Sequence, residues 1–238
     1  MIRYKIADVV FDAKIKYRYT KELCKDYEYS GDEQPCFVAE VTEEDILHES
    51  SLSVEQFPPA YLESLALFRK LCNYCLENAN GIIFHSSAIA VDGQAYLFTA
   101  PSGTGKSTHA RLWRELLGDK VIMVNDDKPI VRLIDGEFYV YGTPWNGKHR
   151  LSTNCKMNIK AICAINQAKE NSIRPASTGE MLMVILNQTI RPKELDNMDK
   201  LLSLIEGLLT KVDIYRLGCN ISEEAAQLSY KTMSGREL

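Results

Sequence analysis

Three groups of residues in this sequence are spaced for chemistry on phosphates. The first is Ala100-Pro101-Ser102-Gly103-Thr104-Gly105-Lys106-Ser107-Thr108, directly after the apolar stretch Tyr96-Leu97-Phe98. Small residues let successive backbone N–H groups curl around a polyphosphate, a lysine at the end of the loop reaches the β- and γ-phosphates, and the following hydroxyl ligates Mg²⁺. A helix opening at Lys106 would add the positive end of its dipole. Pro101, Ser102, Gly103, Thr104, Gly105, Lys106, Ser107 and Thr108 are therefore the expected nucleotide-binding residues, with ATP and Mg²⁺ as cofactors. Ala100 stands where the usual pattern has glycine, a change that alanine tolerates at negative φ.

The second group is Asn125-Asp126-Asp127, at the exit of the apolar run Val121-Ile122-Met123-Val124. Such a run reads as a strand covered on both faces, and in open α/β sheets ligands collect at strand carboxyl ends. Adjacent residues leaving a strand point to different sides, so the two carboxylates are poorly placed to share a proton. A division of labour follows, with Asp127 and Ser107 on the metal and Asp126 as the base for an attacking hydroxyl.

The third is His85. Asp92-Gly93 is a two-residue hairpin signal between Ser87–Val91 and the strand that enters the phosphate loop, which makes those strands antiparallel. The register of such a turn sets Ile89 opposite Tyr96, Ser87 opposite Phe98 and His85 opposite Ala100. His85 then lies at the mouth of the loop, as a metal ligand or an orienter of a phosphate or carboxylate. A further stretch, Gly142 to Arg150, mixes loop formers with Trp145, Lys148, His149 and Arg150. It can close on a phosphate, with Arg150 as a catalytic cation, or it is a surface turn.

These groups need a scaffold. Residues 1–48 read as short strands, and Lys16 to Tyr29 as a solvated edge hairpin, with a partner-binding surface as the alternative. Pro58-Pro59 opens a helix to Asn78 whose inner face carries Leu62, Leu65, Phe68, Cys72 and Cys75. Cys72 and Cys75 form a C-x-x-C, but no second pair follows at zinc spacing, so core packing is expected. After the phosphate loop comes a helix that buries Leu112, Trp113, Leu116 and Leu117, leaves His109 on its surface, and stops at Gly118. Asp135-Gly136 marks another hairpin. A buried strand at 159–165, helices at 180–188 and 195–210, a strand at 212–217 and a last helix capped at Ser222 follow, with a frayed end at 234–238.

A chain of 238 residues, 45% hydrophobic and 25% charged, can bury a full core. With a net charge of -4 and no basic block, neither nucleic acid nor an anionic membrane is the expected partner. No apolar run reaches transmembrane length and the N-terminus lacks a signal-peptide pattern, so a cytoplasmic protein is expected. Seven scattered cysteines do not make a disulfide framework.

The ordered triple of Phe84-His85-Ser86-Ser87, Ser102-Gly103-Thr104-Gly105-Lys106-Ser107 and Asp126-Asp127 resembles the HPr kinase/phosphorylase catalytic domain and its structural relative, ATP-dependent phosphoenolpyruvate carboxykinase. The likeness covers residues 80–150 well and the remainder by general pattern. It implies a mixed-sheet α/β fold with an antiparallel strand before the P-loop. It further implies that Lys106 contacts phosphates, Ser107 and one aspartate hold metal, and the other aspartate with His85 handles the nucleophile. Residues 1–79 would be strands and a helix packed on the core, and residues 80–238 the kinase-like domain. Lys128 departs from the carboxykinase pattern, which has an acidic residue there. Transfer of the γ-phosphoryl group to a hydroxyl, with serine foremost, of a peptide, small protein or small molecule is the expected activity. The rivals are phosphoryl transfer to an enolate and a non-catalytic ATP sensor.

Overall fold

The computed structural model describes residues 1–53, 55–192 and 194–237. The chain begins with an antiparallel hairpin, β1 (Ile2–Ile6) and β2 (Val9–Lys14), whose alternating side chains bury Tyr4, Ile6, Phe11 and Ala13. Helix α1 (Arg18–Leu23) follows, then β3 (Phe37–Glu40), which pairs parallel to β2. Helices α2 (Glu43–Ser51) and α3 (Pro59–Asn78) complete this part of the chain.

Here two expectations need correction. Lys16 to Tyr29 carries the helix α1 and a short helical turn rather than a hairpin, and the buried carboxylate of Glu63 on α3 anchors the start of α1. It accepts from the Tyr17 amide at 3.0 Å and the Thr20 hydroxyl at 2.6 Å. The helix α2, unexpected among short strands, is set by a capping box between Thr42 and Asp45.

The rest builds a second, nine-stranded mixed sheet. Its elements are β4 (Gly81–Ile83), β5 (Ser87–Val91), β6 (Gln94–Thr99), α4 (Lys106–Leu117), β7 (Val121–Asn125), β8 (Ile130–Ile134), β9 (Glu137–Tyr141) and β10 (Lys156–Gln167). After these come β11 (Ser172–Pro175), α5 (Thr178–Leu186), α6 (Leu195–Lys211), β12 (Asp213–Cys219) and α7 (Glu223–Ser234). The main path runs β4-β8-β9-β10-β6-β5-β7. β10 is long enough to pair with β9 near its start and with β12 further on, while β6 lies parallel to it. Helices α5 and α6 bury Met181, Ile185, Leu201, Leu204 and Leu208 in the same apolar cluster as Leu97 and Ile162 of the sheet. Helices α4 and α7 sit in another cluster with Tyr96, Phe98, Cys163 and Leu217. The N-terminal part shares its own cluster with Ile83, Ile130, Tyr141 and Trp145.

β5 and β6 pair antiparallel with Ile89 opposite Tyr96 and Ser87 opposite Phe98, and both turn residues, Asp92 and Gly93, have positive φ. The ladder ends at Ser87, however, so His85 is not a ladder partner of Ala100. Its amide donates instead to the Gln188 carbonyl at 2.7 Å, and its carbonyl accepts from the Thr99 hydroxyl at 3.2 Å. β7 is an edge strand that pairs with β5, and Ile122 is exposed, so this apolar run is not covered on both faces. Gly235 closes α7 in the left-handed conformation and Arg236 pairs with Asp92, while Leu238 lies outside the described residues. Cys72 and Cys75 pack in the apolar cluster behind α3. Among the described residues, no helix is long and apolar enough to cross a membrane.

Candidate functional site

The loop between β6 and α4 rises from a strand whose last residues, Phe98 and Thr99, are fully buried, so its base is fixed. Gly103 and Gly105 have φ of +79° and +121°, values that L side chains rarely adopt, and a Cβ at either would point into open space. The backbone is thus bent by conformation rather than by crowding. Helix α4 has no side-chain cap, and its first internal bond runs from the His109 amide to the Gly105 carbonyl at 2.9 Å. Among the described residues, no protein group accepts from the N–H groups of Gly103, Gly105, Lys106, Ser107 or Thr108. Five donors and a helix N-terminus therefore converge on one concavity. The buried Lys106 side chain folds against this loop, its ammonium 2.8 Å from the Ala100 carbonyl and 3.4 Å from that of Pro101. Burial lowers its pKa, and Asp127 and Asp126 oppose that shift.

Asn125, at the end of β7, sets the two aspartates. Its side-chain oxygen accepts from the amides of Asp127 at 2.8 Å and Lys128 at 2.7 Å, while its Nδ2 donates to Thr143. The chain is so turned that Asp126 and Asp127 face different partners. Asp126 is buried and accepts through Oδ1 from the hydroxyl of Ser87, on the neighbouring β5. Asp127 faces His85, with Oδ1 3.0 Å from its Nε2, and Lys128, with Oδ2 2.7 Å from its ammonium. Burial alone would raise the Asp127 pKa. The hydrogen bond from His85 and the Lys128 ammonium outweigh it and bring the carboxyl down to about 2.

The segment after β9 is pinned at both ends. Gly142 passes so close to Thr153 that a Cβ would lie 1.9 Å from its carbonyl oxygen, and Thr153 in turn donates to Val124 of β7. Trp145 is buried, donates through Nε1 to the Ser64 carbonyl at 3.0 Å and packs at a tilt against Phe68, both residues on α3. From this anchor Asn146 to Arg150 swing over the aspartates. Gly147 packs so closely that a Cβ there would meet Asp127 at 3.0 Å.

These pieces line one open cleft of about 750 Å³, within the usual range for a ligand site. His85, Ser102, Gly103, Gly105, Lys106, Ser107, Thr108, Asp126, Asp127 and Arg150 all line it. Pro101 and Thr104 do not, although both belong to the loop, and a hydrogen bond from the Thr104 amide to the Pro101 carbonyl closes its turn. Sequence reasoning passed over Tyr19, Leu23 and Tyr61, which line the cleft from the N-terminal part, since nothing in a local pattern signals that α1 reaches it. It also passed over Ser87 as the partner of Asp126, a contact that the neighbouring placement of β5 and β7 creates.

His109 is misplaced by the sequence pattern. It is buried rather than on the helix surface, with Nε2 2.8 Å from the Ser229 hydroxyl of α7, and burial pushes its pKa down to about 4. No group of three or more His, Cys, Asp or Glu side chains arranged for a metal occurs among the described residues.

No family model matches the sequence, and no curated protein matches it. Among solved structures, the chain is similar to the Hpr(Ser) kinase/phosphatase from Coxiella burnetii, at 9% identity and a TM-score of 0.35, over 64% of this chain and 93% of that one. A likeness this slight carries no argument, and the functional reading rests on the site's own geometry.

Proposed function

We propose that this chain is a Mg-ATP-dependent phosphotransferase that passes the γ-phosphoryl group to a hydroxyl. The observation that carries the reading is one cleft with five unpaired N–H donors and Lys106 at a helix N-terminus, and the Asp127–His85 pair beside them. The donor set of the loop fits a polyphosphate, since it offers backbone N–H groups, the Lys106 ammonium and the Ser107 hydroxyl, and the neighbouring aspartates suit a cation bound with it.

Mg²⁺ suits oxygen ligands, and Ser107 with Asp126 would hold it. This exchanges the roles expected of the two aspartates. Both oxygens of Asp127 are engaged by His85 and Lys128, whereas Asp126 gives only Oδ1, to a neutral hydroxyl. The ion would supply charge neutralisation on the phosphates.

Asp127, ionised at neutral pH, can only accept hydrogen bonds, so His85 Nε2 carries the hydrogen between them. In the neutral ring Nδ1 is then the acceptor, and the Asp127–His85 pair receives the proton of the attacking hydroxyl. Phosphoryl transfer asks chiefly for positioning and charge stabilisation, which Lys106, Lys128 and the loop amides provide. This reading agrees with the resemblance in the motifs around His85, Lys106 and Asp126-Asp127.

The test is incubation of the full chain with Mg-[γ-³²P]ATP and hydroxyl-bearing candidates, serine peptides and small molecules alike. Label on an acceptor, lost in Asp127→Asn, is the expected result. Tight nucleotide binding without transfer to any acceptor and without hydrolysis would favour a nucleotide sensor instead.

A further inference from the structure

The cleft has a second end, away from the phosphate loop. Besides the loop and the aspartates it is lined by Tyr19 and Leu23 of α1 and Tyr61 of α3, together with Lys148, His149 and Arg150. The wall is built in advance of any ligand. The Tyr19 and Tyr61 rings lie edge to face at 6.1 Å, and Glu63 ties α1 to α3 through the Tyr17 amide and the Thr20 hydroxyl. Tyr61 stands three residues before Ser64, which holds Trp145, so wall and loop share one anchor.

Arg150 lines the cleft with this wall, and its charge reaches Tyr19, where it opposes the rise that burial gives that hydroxyl. It also holds φ of +53°, a left-handed conformation that glycine adopts more cheaply, so the backbone bears strain to present a guanidinium here. Among the described residues, neither Lys148 nor Arg150 pairs with a carboxylate. An unpaired guanidinium in a cleft that Tyr19 and Tyr61 also line fits an oxyanion attached to a compact organic body.

We propose that this end binds the phosphoryl acceptor, and that the acceptor is a hydroxyl compound bearing a carboxylate or phosphate. Its charge pairs with Arg150 and its body lies against Tyr19 and Tyr61. The assignment rests on the phosphotransferase reading. In the reaction, the acceptor's hydroxyl oxygen bonds to the γ-phosphorus as the bond from that phosphorus to the β,γ-bridging oxygen breaks. ADP leaves with the electron pair, and the hydroxyl proton passes to the Asp127–His85 pair.

Three probes on one carbon skeleton separate the possibilities: glycerate for carboxylate, glycerol 3-phosphate for phosphate, and glycerol as the neutral control. Calorimetry on the full chain, with Mg-AMP-PNP present, should show millimolar or tighter binding of one or both anions and none of glycerol. Arg150→Gln should weaken that binding by about tenfold or more, and Arg150→Lys by less, because lysine keeps the charge but loses the fork. The affinity for Mg-AMP-PNP should stay within about twofold of the parent, well under 1 kcal/mol. Equal binding of glycerol, no anion binding in the millimolar range, or an equal loss of nucleotide affinity in Arg150→Gln overturns the proposal. If the parent chain fails to bind Mg-AMP-PNP at all, the nucleotide reading falls first and takes this one with it.

Discussion

Lowering the pH should loosen the fold through His109, on the helix that begins with Lys106 and Ser107. Ser229 has one hydroxyl hydrogen, which it donates to the Ala226 carbonyl at 3.0 Å. The Trp113 indole N–H, a donor only, takes one of its lone pairs at 2.8 Å. What remains is an acceptor, so His109 Nε2 carries a hydrogen and Nδ1 does not. Nδ1 is buried with no partner, and a proton placed there would be a buried, uncompensated charge. That is why the imidazole pKa falls from 6.5 to about 4.

Because the folded pKa lies below the unfolded one, the unfolded chain binds this proton more readily. The stabilisation is fully present above about pH 6.5 and is lost as pH falls toward the folded value. A gap of 6.5 to about 4 corresponds to roughly 3 kcal/mol in full, and to about 2 kcal/mol already lost at about pH 5. Urea unfolding at about pH 7.5 and 5 should show that loss in the parent. In His109→Gln, whose amide can still donate to Ser229, the decrease should be smaller by about 2 kcal/mol, with the other titrating groups common to both chains. Equal pH dependence in the two proteins, or an NMR titration that puts His109 near 6.5, would refute the tautomer argument.

The remaining expectations concern the cleft and its wall. Lys106→Ala should weaken Mg-ATP binding by about 1.5 to 3 kcal/mol, read by calorimetry, with adenosine binding little changed. Asp126→Asn should raise the Mg²⁺ concentration needed for transfer, whereas Asp127→Asn should lower turnover by about 10²- to 10⁴-fold at unchanged metal dependence. Identical behaviour of the two variants would remove the division of roles. Glu63→Gln should cost about 1.5 to 3 kcal/mol in urea unfolding, because a buried carboxylate that accepts from Tyr17 and Thr20 loses its charge.

What the sequence made legible is what short-range chemistry determines. The Asp92-Gly93 turn fixes the β5–β6 register, because a two-residue loop with positive φ at both positions matches the twist of the strands. The helix from Pro59 to Asn78 and the glycines of the phosphate loop are legible for the same reason. Errors arose where a distant partner decided the outcome. The pattern around His109 puts it on a polar face, but α7 covers that face and supplies Ser229, 120 residues away. Val121 to Val124 is as apolar as a central strand, yet the chain places it at the sheet edge, an order that composition does not encode.

The same distinction explains why half of the cleft was visible and half was not. The end proposed for the phosphates is written in consecutive residues, since a polyphosphate there would be gripped by the backbone of one loop and the first turn of one helix. The other end is assembled from α1, α3 and the segment after β9, held together by Glu63 and by the Trp145–Ser64 bond. Each of those contacts joins residues more than forty positions apart, and each is fixed by a buried polar group that must find its partner when the core closes. The proposed acceptor site, built this way, could change its chemistry through Tyr19, Tyr61 or Arg150 without disturbing the loop before α4. On the proposed reading, one phosphoryl-transfer centre would serve many acceptors, and the identity of the acceptor would be sought in the wall rather than in the motif.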